Sequence, residues 1–312
     1  MNQLNELKKL INKEYTVRNM CIELKIDPAE LYFLVDQLKK EGLYYYPKTD
    51  LDAETKLTLK KENSDADLSF RVSDGEFSFL VISDPHIGSI YDAPHRFKLV
   101  NDFLNEHEIN MLVNTGDLID GPVHEDQSLP RRIERLDDQV YEFADLYPYM
   151  VGTNVVVLGD HDLKYKNKEG ISANKLLRGV RPDLRVFSSG SGIININNNK
   201  ILVAHNTKDP RVIQRITNDM IVISGHSHAY YNNTLYSPNK PIIRIVSPSM
   251  SDLPTYNNKV PGFLKFNLSF DANILYTVVI ENYVFYNNDT YLNGTTTYNM
   301  PTTNRQRSRK NR

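Results

Sequence analysis

Residues able to bind metal ions or transfer protons follow five short apolar runs of this sequence. Each run is rich in β-branched residues and is followed directly, or after one or two small residues, by a carboxylate or an imidazole. Ligand sites in α/β sheets lie at the carboxyl ends of strands, so we expect these side chains to converge. They are Asp84 and His86 after 79–82, Asp117 and Asp120 after 111–114, Asp160, His161 and Asp162 after 155–158, His205 after 201–204, and His226 and His228 after 221–224.

Histidine is concentrated in this pattern, because five of the eight histidines lie at these strand ends. One histidine alone is more often structural than a ligand, but five at equivalent positions indicate one shared site. Imidazoles and carboxylates without a thiolate suit borderline divalent cations, so we expect Mn²⁺, with Fe or Zn²⁺ as alternatives. The residues therefore predict a shared metal site.

The ordered motifs resemble those of the calcineurin-like metallophosphoesterases. The resemblance covers roughly residues 77–280 and implies an α/β fold, a β-sandwich flanked by helices with two metal ions between the sheet edges. It also implies metal-dependent hydrolysis of a phosphoester, in which two cations about 3.5–4 Å apart clamp phosphate oxygens and lower the pKa of a bound water. The motifs that carry it are Asp84-x-His86, Gly116-Asp117-x-x-Asp120, Gly159-Asp160-His161-Asp162, His205 and Gly225-His226-x-His228.

The resemblance also implies a role for each residue. His161 would act as general acid or transition-state stabiliser, oriented by Asp120 or Asp162. Asp117 would bridge both metal ions. The first ion would be held by Asp84, His86 and His228, and the second by Asp160, His205 and His226.

One residue departs from the family pattern. The third motif normally reads Gly-Asn-His, whereas this chain has Asp160 in the position of the asparagine. A carboxylate there adds negative charge where an anionic substrate must approach. Two outcomes stay open: a stronger metal site with an altered choice of metal, or a weakened or silenced phosphoesterase.

The segment between the second and third motifs carries candidate substrate-binding residues. His124, Arg131 and Arg132 could bind a second phosphate or a nucleic-acid backbone. The alternative is a helix start whose arginines pair with Glu134, Asp137 and Asp138.

Residues 1–60 resemble a small winged helix-turn-helix domain. Three helical patterns, the last opened by Asp27-Pro28, precede two β-like runs. Residues 1–50 hold eight basic and eight acidic residues, so the module lacks the basic footprint of a DNA-binding surface. DNA contact and a dimerisation or partner-docking role, including a homo-oligomer, both stay open.

Composition sets the remaining boundaries of the prediction. Residues 61–76 are polar and predict a linker, 77–290 the metallophosphoesterase domain, and 291–312 a basic, disordered tail. The net charge is −2 and Cys21 is the only cysteine, which excludes an intrachain disulfide and fits a reducing compartment. No apolar run approaches the ~18 residues of a membrane span. We expect a cytoplasmic protein that does not bind membranes.

The leading hypothesis is a phosphodiesterase or nuclease acting on DNA, RNA or nucleotides rather than a protein phosphatase. The nucleic-acid preference rests on the winged-helix-like module and the basic tail. Two alternatives are a non-catalytic metal-binding scaffold and a DNA-binding regulator with an auxiliary phosphatase domain.

Overall fold

The structure of the chain is defined over most of its length. The computed structural model describes residues 3–40, 43, 45–49, 55–59, 68–72, 75–107, 109–122, 131–197, 199–217, 220–237, 240–253, 259–271 and 273–300. None of the helices in these ranges combines the length and the apolar character needed to cross a membrane.

An amino-terminal module precedes a two-layered sheet domain. The module contains α1 Gln3–Asn12, α2 Val17–Leu24, α3 Pro28–Lys40, β1 Tyr45–Thr49 and β2 Thr55–Leu59. The sheet domain contains β3 Leu68–Phe70, β4 Gly75–Ile82, α4 His95–Glu106, β5 Met111–Asn114, α5 Leu136–Leu146, β6 Thr153–Val157, α6 Asp160–Lys164, α7 Ala173–Val180, β7 Leu184–Phe187, β8 Ser191–Ile196, β9 Asn199–Ala204, α8 Pro210–Ile213, β10 Met220–Ser224, β11 Tyr231–Ser237, β12 Lys240–Val246, β13 Gly262–Asp271, β14 Ile274–Tyr286 and β15 Asp289–Asn299.

Local capping chemistry explains where the helices of the module begin. The Thr16 side chain accepts a hydrogen bond from the Asn19 N–H at the start of α2. At the start of α3, Asp27 and Glu30 exchange reciprocal side-chain-to-backbone hydrogen bonds of 2.8 and 3.0 Å. The module therefore has the predicted three helices, followed by an antiparallel pair, β1 with β2. That this module is a winged helix-turn-helix domain stays a prediction.

Two mixed sheets form the second domain. In the described residues, one sheet has the order β15-β14-β13-β4-β5-β6-β7, in which β4 to β7 are parallel. The other has the order β11-β12-β10-β9-β8-β3, in which β9, β10 and β12 are parallel. The five apolar runs that precede the predicted ligands all form strands. A mixed α/β fold with two sheets is confirmed.

Alternation along the strands builds two cores, one on each face of the first sheet. Phe79 and Val81 point between the sheets, where the Phe79 and Phe266 rings stack 4.7 Å apart. Leu80 and Ile82 point to the opposite face, which α4, α5 and α7 cover. Each fully buried side chain of this size stabilises the fold by about 1.5–3 kcal/mol. The burial on both faces explains why these strands are continuous apolar runs.

The predicted linker and tail both contain strands. Leu68–Phe70 pairs in parallel with β8, so part of the segment predicted as a linker belongs to the second sheet. Residues 291–299, predicted as disordered tail, belong to β15, which pairs with β14 along its whole length. Most side chains of β15 are exposed because it is an edge strand, which explains its low apolar content. Residues 301–312 lie outside the described residues.

The amino-terminal module packs at the amino ends of β6 and β7. Tyr32 of α3 stacks on Tyr149 with ring centroids 5.8 Å apart, and the Arg181 guanidinium lies 3.7 Å from the Tyr149 ring centroid. Arg181 is buried and forms an ion pair of 2.7 Å with Asp183. Tyr149 precedes β6 and Arg181 precedes β7, so this contact lies at the amino ends of these strands, away from their carboxyl ends.

Candidate metal centre

The carboxyl ends of strands from both sheets meet at one place. Asp84 and His86 follow β4, Asp117 follows β5 and Asp160 follows β6 in the first sheet. His205 follows β9, and His226 and His228 follow β10 in the second sheet. Their side chains form two groups whose ligand atoms lie within 4.8 Å of one another: Asp84 with His86 and His228, and Asp117 with Asp160, His205 and His226. The structure therefore brings together all seven predicted metal ligands.

Asp117 lies between the two groups. Its Oδ2 atom is 3.8 Å from His86 Nε2 of the first group and 3.1 Å from His205 Nε2 of the second. The same oxygen is 4.0 Å from His161 Nε2. This central position is the one that the predicted bridging role requires.

The hydrogen bonding of the site fits divalent cations. His205 Nδ1 lies 3.0 Å from the Thr115 carbonyl oxygen, which fixes the proton on Nδ1 and leaves the Nε2 lone pair facing the carboxylates. Asp160 Oδ1 is buried and makes no hydrogen bond, although His205 Nε2 lies 2.9 Å and His226 Nδ1 3.2 Å away. Close approach without hydrogen-bond geometry is expected of atoms that converge on a cation.

The electrostatics of the site favour positive charge at its centre. Burial lowers the pKa of His205, but the Asp117 and Asp160 carboxylates close to its Nε2 atom outweigh this effect and raise the pKa to about 11, so a positive charge is favoured at this atom, whether a proton or a cation. Burial raises the pKa of Asp84, but the His228 hydrogen bond and the surrounding imidazoles hold it well below its usual range. Burial lowers the pKa of His86 to about 4, so this imidazole is neutral at pH 7, as a metal ligand must be.

Five of the seven residues have left-handed backbone conformations. Non-glycine residues are uncommon there, although Asp and His tolerate this region better than most. Such conformations cluster at functional sites, where the surrounding structure holds them at a cost of order 1–3 kcal/mol each. The φ angles are +50° for Asp84, +46° for His86, +51° for Asp117, +68° for His226 and +56° for His228.

A chain of buried hydroxyl groups supports Asp84. The Thr115 hydroxyl donates to Ser83 Oγ over 2.6 Å, and Ser83 Oγ donates to the Asp84 carboxylate. Ser249 Oγ donates to the Asp84 carbonyl oxygen over 2.9 Å. Sequence reasoning missed these positioning residues, although the places of Ser83 and Thr115 directly before the two Asp motifs were a usable signal.

Close packing of the loops requires glycine at Gly225. A Cβ atom there would lie 2.6 Å from Asp84 Oδ2 and 2.8 Å from Thr115 Oγ1. The glycine therefore allows the His226 loop to lie against the Asp84 loop, where the His226 N–H donates to the Asp84 carboxylate.

The structure places His161 at the centre but gives its neighbours different roles from those predicted. His161 Nδ1 lies 2.6 Å from the main-chain carbonyl of Asp120, so the contact does not use the Asp120 carboxylate. The Asp162 carboxylate accepts hydrogen bonds from the N–H groups of Gly159, Leu118 and Ile119 and so ties two motif loops together. Burial and the neighbouring Asp117 raise the pKa of Asp162 to about 7.

Charge around His161 favours its protonated form. Burial acts to lower the pKa of His161, but the nearby Asp117 carboxylate and the Asp120 carbonyl outweigh it and hold the pKa above its ordinary value. A protonated imidazole at this position suits a general acid.

The predicted substrate-binding arginines are both engaged in ion pairs. Arg131 Nε lies 3.2 Å from the Asp120 carboxylate. Arg132 pairs with Asp92 at 2.6 Å and with Glu142 at 2.5 Å, rather than with the carboxylates named in the alternative prediction. Arg132 thus braces α5 against the loop after β4, and its role in phosphate binding stays a prediction. His124 lies outside the described residues.

Comparisons with known proteins agree on the type of domain. Residues 77–244, more than half of the chain, match the family model described as calcineurin-like phosphoesterase. No curated protein sequence matches the chain.

The chain is also similar to several solved structures at low identity. Wild-type Vps29 complexed with Zn²⁺ from Entamoeba histolytica is 19% identical, with a TM-score of 0.40, over 72% of this chain and 99% of that one. Haemophilus influenzae NAD nucleotidase is 13% identical, with a TM-score of 0.40, over 76% and 55%. Pseudomonas putida nuclease MPE is 13% identical, with a TM-score of 0.32, over 63% and 85%.

Proposed function

Because this chain belongs to the calcineurin-like phosphoesterase family, we propose that it is a dinuclear metal-dependent phosphodiesterase acting on nucleic acid or nucleotides. One observation carries this proposal. Seven imidazole and carboxylate side chains from the strand ends of two sheets form two groups on either side of Asp117. Their chemistry suits Mn²⁺ first, with Fe or Zn²⁺ as alternatives.

The residues of the chain have distinct tasks in this reaction. Asp84, His86 and His228 would hold one cation, Asp160, His205 and His226 the other, and Asp117 both. When bound, the two cations would neutralise charge on the phosphate and lower the pKa of a bound water. His161 points Nε2 into the centre while the Asp120 carbonyl holds Nδ1. From there His161 can donate a proton to the leaving oxygen.

The amino-terminal module acts away from the reaction in this proposal. Tyr32 of the module contacts Tyr149 at the amino ends of the strands, whereas the metal ligands follow the carboxyl ends. We assign to it the recruitment of nucleic acid or of a second copy of the chain, not contact with the scissile bond. The preference for nucleic acid as substrate draws on this module and on the basic residues that follow 304.

Hydrolysis assays test the proposal directly. The EDTA-stripped protein, supplied with Mn²⁺, Zn²⁺ or Fe²⁺, is incubated with bis-p-nitrophenyl phosphate, p-nitrophenyl phosphate, single- and double-stranded DNA, and RNA. We expect metal-dependent cleavage of diesters that exceeds cleavage of the monoester. Asp117→Asn should abolish it, whereas Glu106→Gln, which changes an exposed carboxylate at the end of α4, should not. Absence of hydrolysis with every metal and substrate would overturn the proposal.

A metal-binding scaffold without turnover is the second candidate, and Asp160 is the observation that favours it. This carboxylate replaces the family asparagine, and its side chain is 42% exposed at the face of the centre. It adds negative charge where a phosphoester must approach. The variant Asp160→Asn separates the two candidates. A large gain in turnover favours the scaffold, whereas lower metal affinity or a changed preference among metals favours the enzyme.

A further inference from the structure

A small polar pocket adjoins the metal centre on the side of His228. Its cavity volume is about 80 Å³, and we call it the Lys259 pocket. That size is closer to a phosphoryl group than to a nucleobase. It is lined by His228, Ser249, Ser251, Asp252, Leu253, Lys259 and Pro261.

Lys259 supplies a positive charge to this pocket. Its ammonium group donates a hydrogen bond to the carbonyl oxygen of Ser227, the residue between the two histidines that follow β10. Among the described residues, no carboxylate forms an ion pair with Lys259. An ammonium group carries three protons. Two of them therefore stay available to a ligand beside the metal ions.

The side of the pocket formed by Ser249, Ser251 and Asp252 is held in place and is neutral. Arg96 donates to the Met250 carbonyl over 2.6 Å and pairs with Asp252 at 2.7 Å. This pair neutralises the one carboxylate that lines the pocket. Ser249 donates to the Asp84 carbonyl oxygen, so Ser251 donates to Ser249 over 2.8 Å and both hydroxyl groups are fixed. The pocket consequently combines a net positive charge with a fixed polar wall.

We propose that the Lys259 pocket binds a second phosphate of the substrate, next to the phosphate that is cleaved. This proposal rests on the proposed function and narrows the substrate to chains or nucleotides with two neighbouring phosphates. Lysine binds phosphate as a point charge. A contact that is equally strong in the ground state and in the transition state lowers KM without raising kcat, so we expect the pocket to act on substrate affinity.

Steady-state kinetics on matched substrates test the pocket. Dithymidine with one internal phosphate is compared with the same dinucleotide carrying an additional 5′-phosphate, in the Mn²⁺-loaded protein. We expect Lys259→Gln to raise KM about 10-fold for the doubly phosphorylated substrate, because the variant loses one charge-assisted hydrogen bond. Its kcat and its KM for the singly phosphorylated substrate should stay unchanged. Lys259→Arg should restore the KM. Lys175→Gln, an exposed lysine on α7, is the control.

Calorimetric binding separates failure of the pocket from failure of the enzyme. Thymidine 3′,5′-bisphosphate and thymidine 5′-phosphate are titrated into the same metal-loaded proteins. We expect the bisphosphate to bind about 10-fold more tightly, and Lys259→Gln to remove this difference. Equal binding of both ligands by the wild-type protein, with hydrolysis intact, would overturn the proposal that the Lys259 pocket binds a second phosphate. A binding difference without hydrolysis would support the pocket and contradict the proposed phosphodiesterase activity.

Discussion

At the scale of single residues, the metal centre depends on hydroxyl groups that are not ligands themselves but form hydrogen bonds to a ligand residue. The Asp84 carboxylate accepts a hydrogen bond from the Ser83 hydroxyl, and the Ser83 oxygen accepts one from the Thr115 hydroxyl. Such outer hydrogen bonds orient a ligand and tune its basicity, and their loss costs metal affinity. The left-handed backbone of Asp84 makes this support more important, because the conformation persists only where its surroundings hold it.

The variant Thr115→Val tests the hydroxyl chain. It keeps the shape of the side chain and removes the donor to Ser83. We expect Mn²⁺ affinity to fall about 10- to 100-fold, measured by calorimetry. Thr115→Ser keeps the hydroxyl and should bind like the wild type. Equal affinity in the wild-type protein and both variants would show that the hydroxyl chain does not position Asp84.

The cysteine of α2 gives a second residue-scale prediction. Cys21 is buried, and burial, followed by the nearby Asp27 carboxylate, raises the pKa of its thiol to about 11. The thiolate is the reactive form, so the folded protein at pH 8 should react with iodoacetamide about 100-fold more slowly than the chain in urea. Comparable rates in both conditions would contradict the packing of α2 in the module.

At the scale of elements, the sequence predicts best what lies at the ends of buried strands. The seven ligands were predictable because each follows a continuous apolar run, and the ends of parallel strands meet at one edge. Strands β14 and β15 were not predicted, since buried positions only alternate along β14 and most side chains of β15 are exposed. The contact of His161 with Asp120 was misassigned because it uses a main-chain carbonyl, which residue identity does not reveal.

The contact between α3 and the loop before β6 gives an element-scale prediction. Tyr32 is buried against Tyr149, whereas the next residue, Phe33, is 64% exposed. Tyr32→Ala should lower the free energy of unfolding of the module by about 3 kcal/mol, as large-to-small changes in cores do. Phe33→Ala should change it by less than about 0.5 kcal/mol. Urea unfolding measures both, and equal effects would contradict the docking.

At the scale of the whole molecule, the candidate metal centre and the amino-terminal module lie at opposite ends of the strands of one sheet. The metal ligands follow the carboxyl ends of β4, β5 and β6, whereas the amino-terminal module packs where β6 and β7 begin. A substrate at the metal centre therefore meets the loops after the strands and the Lys259 pocket, not α3. This separation allows the module to bind a partner without blocking the reaction.

The proposed reaction depends on two metal ions that Asp117 joins. Its most direct test is the number of Mn²⁺ ions bound per chain, measured by calorimetry and elemental analysis on EDTA-stripped protein. We predict two ions in the wild-type protein and weakened binding of both in Asp117→Asn, since this carboxylate lies within 3.8 Å of a histidine in each group. A single ion in the wild-type protein, or two ions bound equally well by Asp117→Asn, would contradict the account.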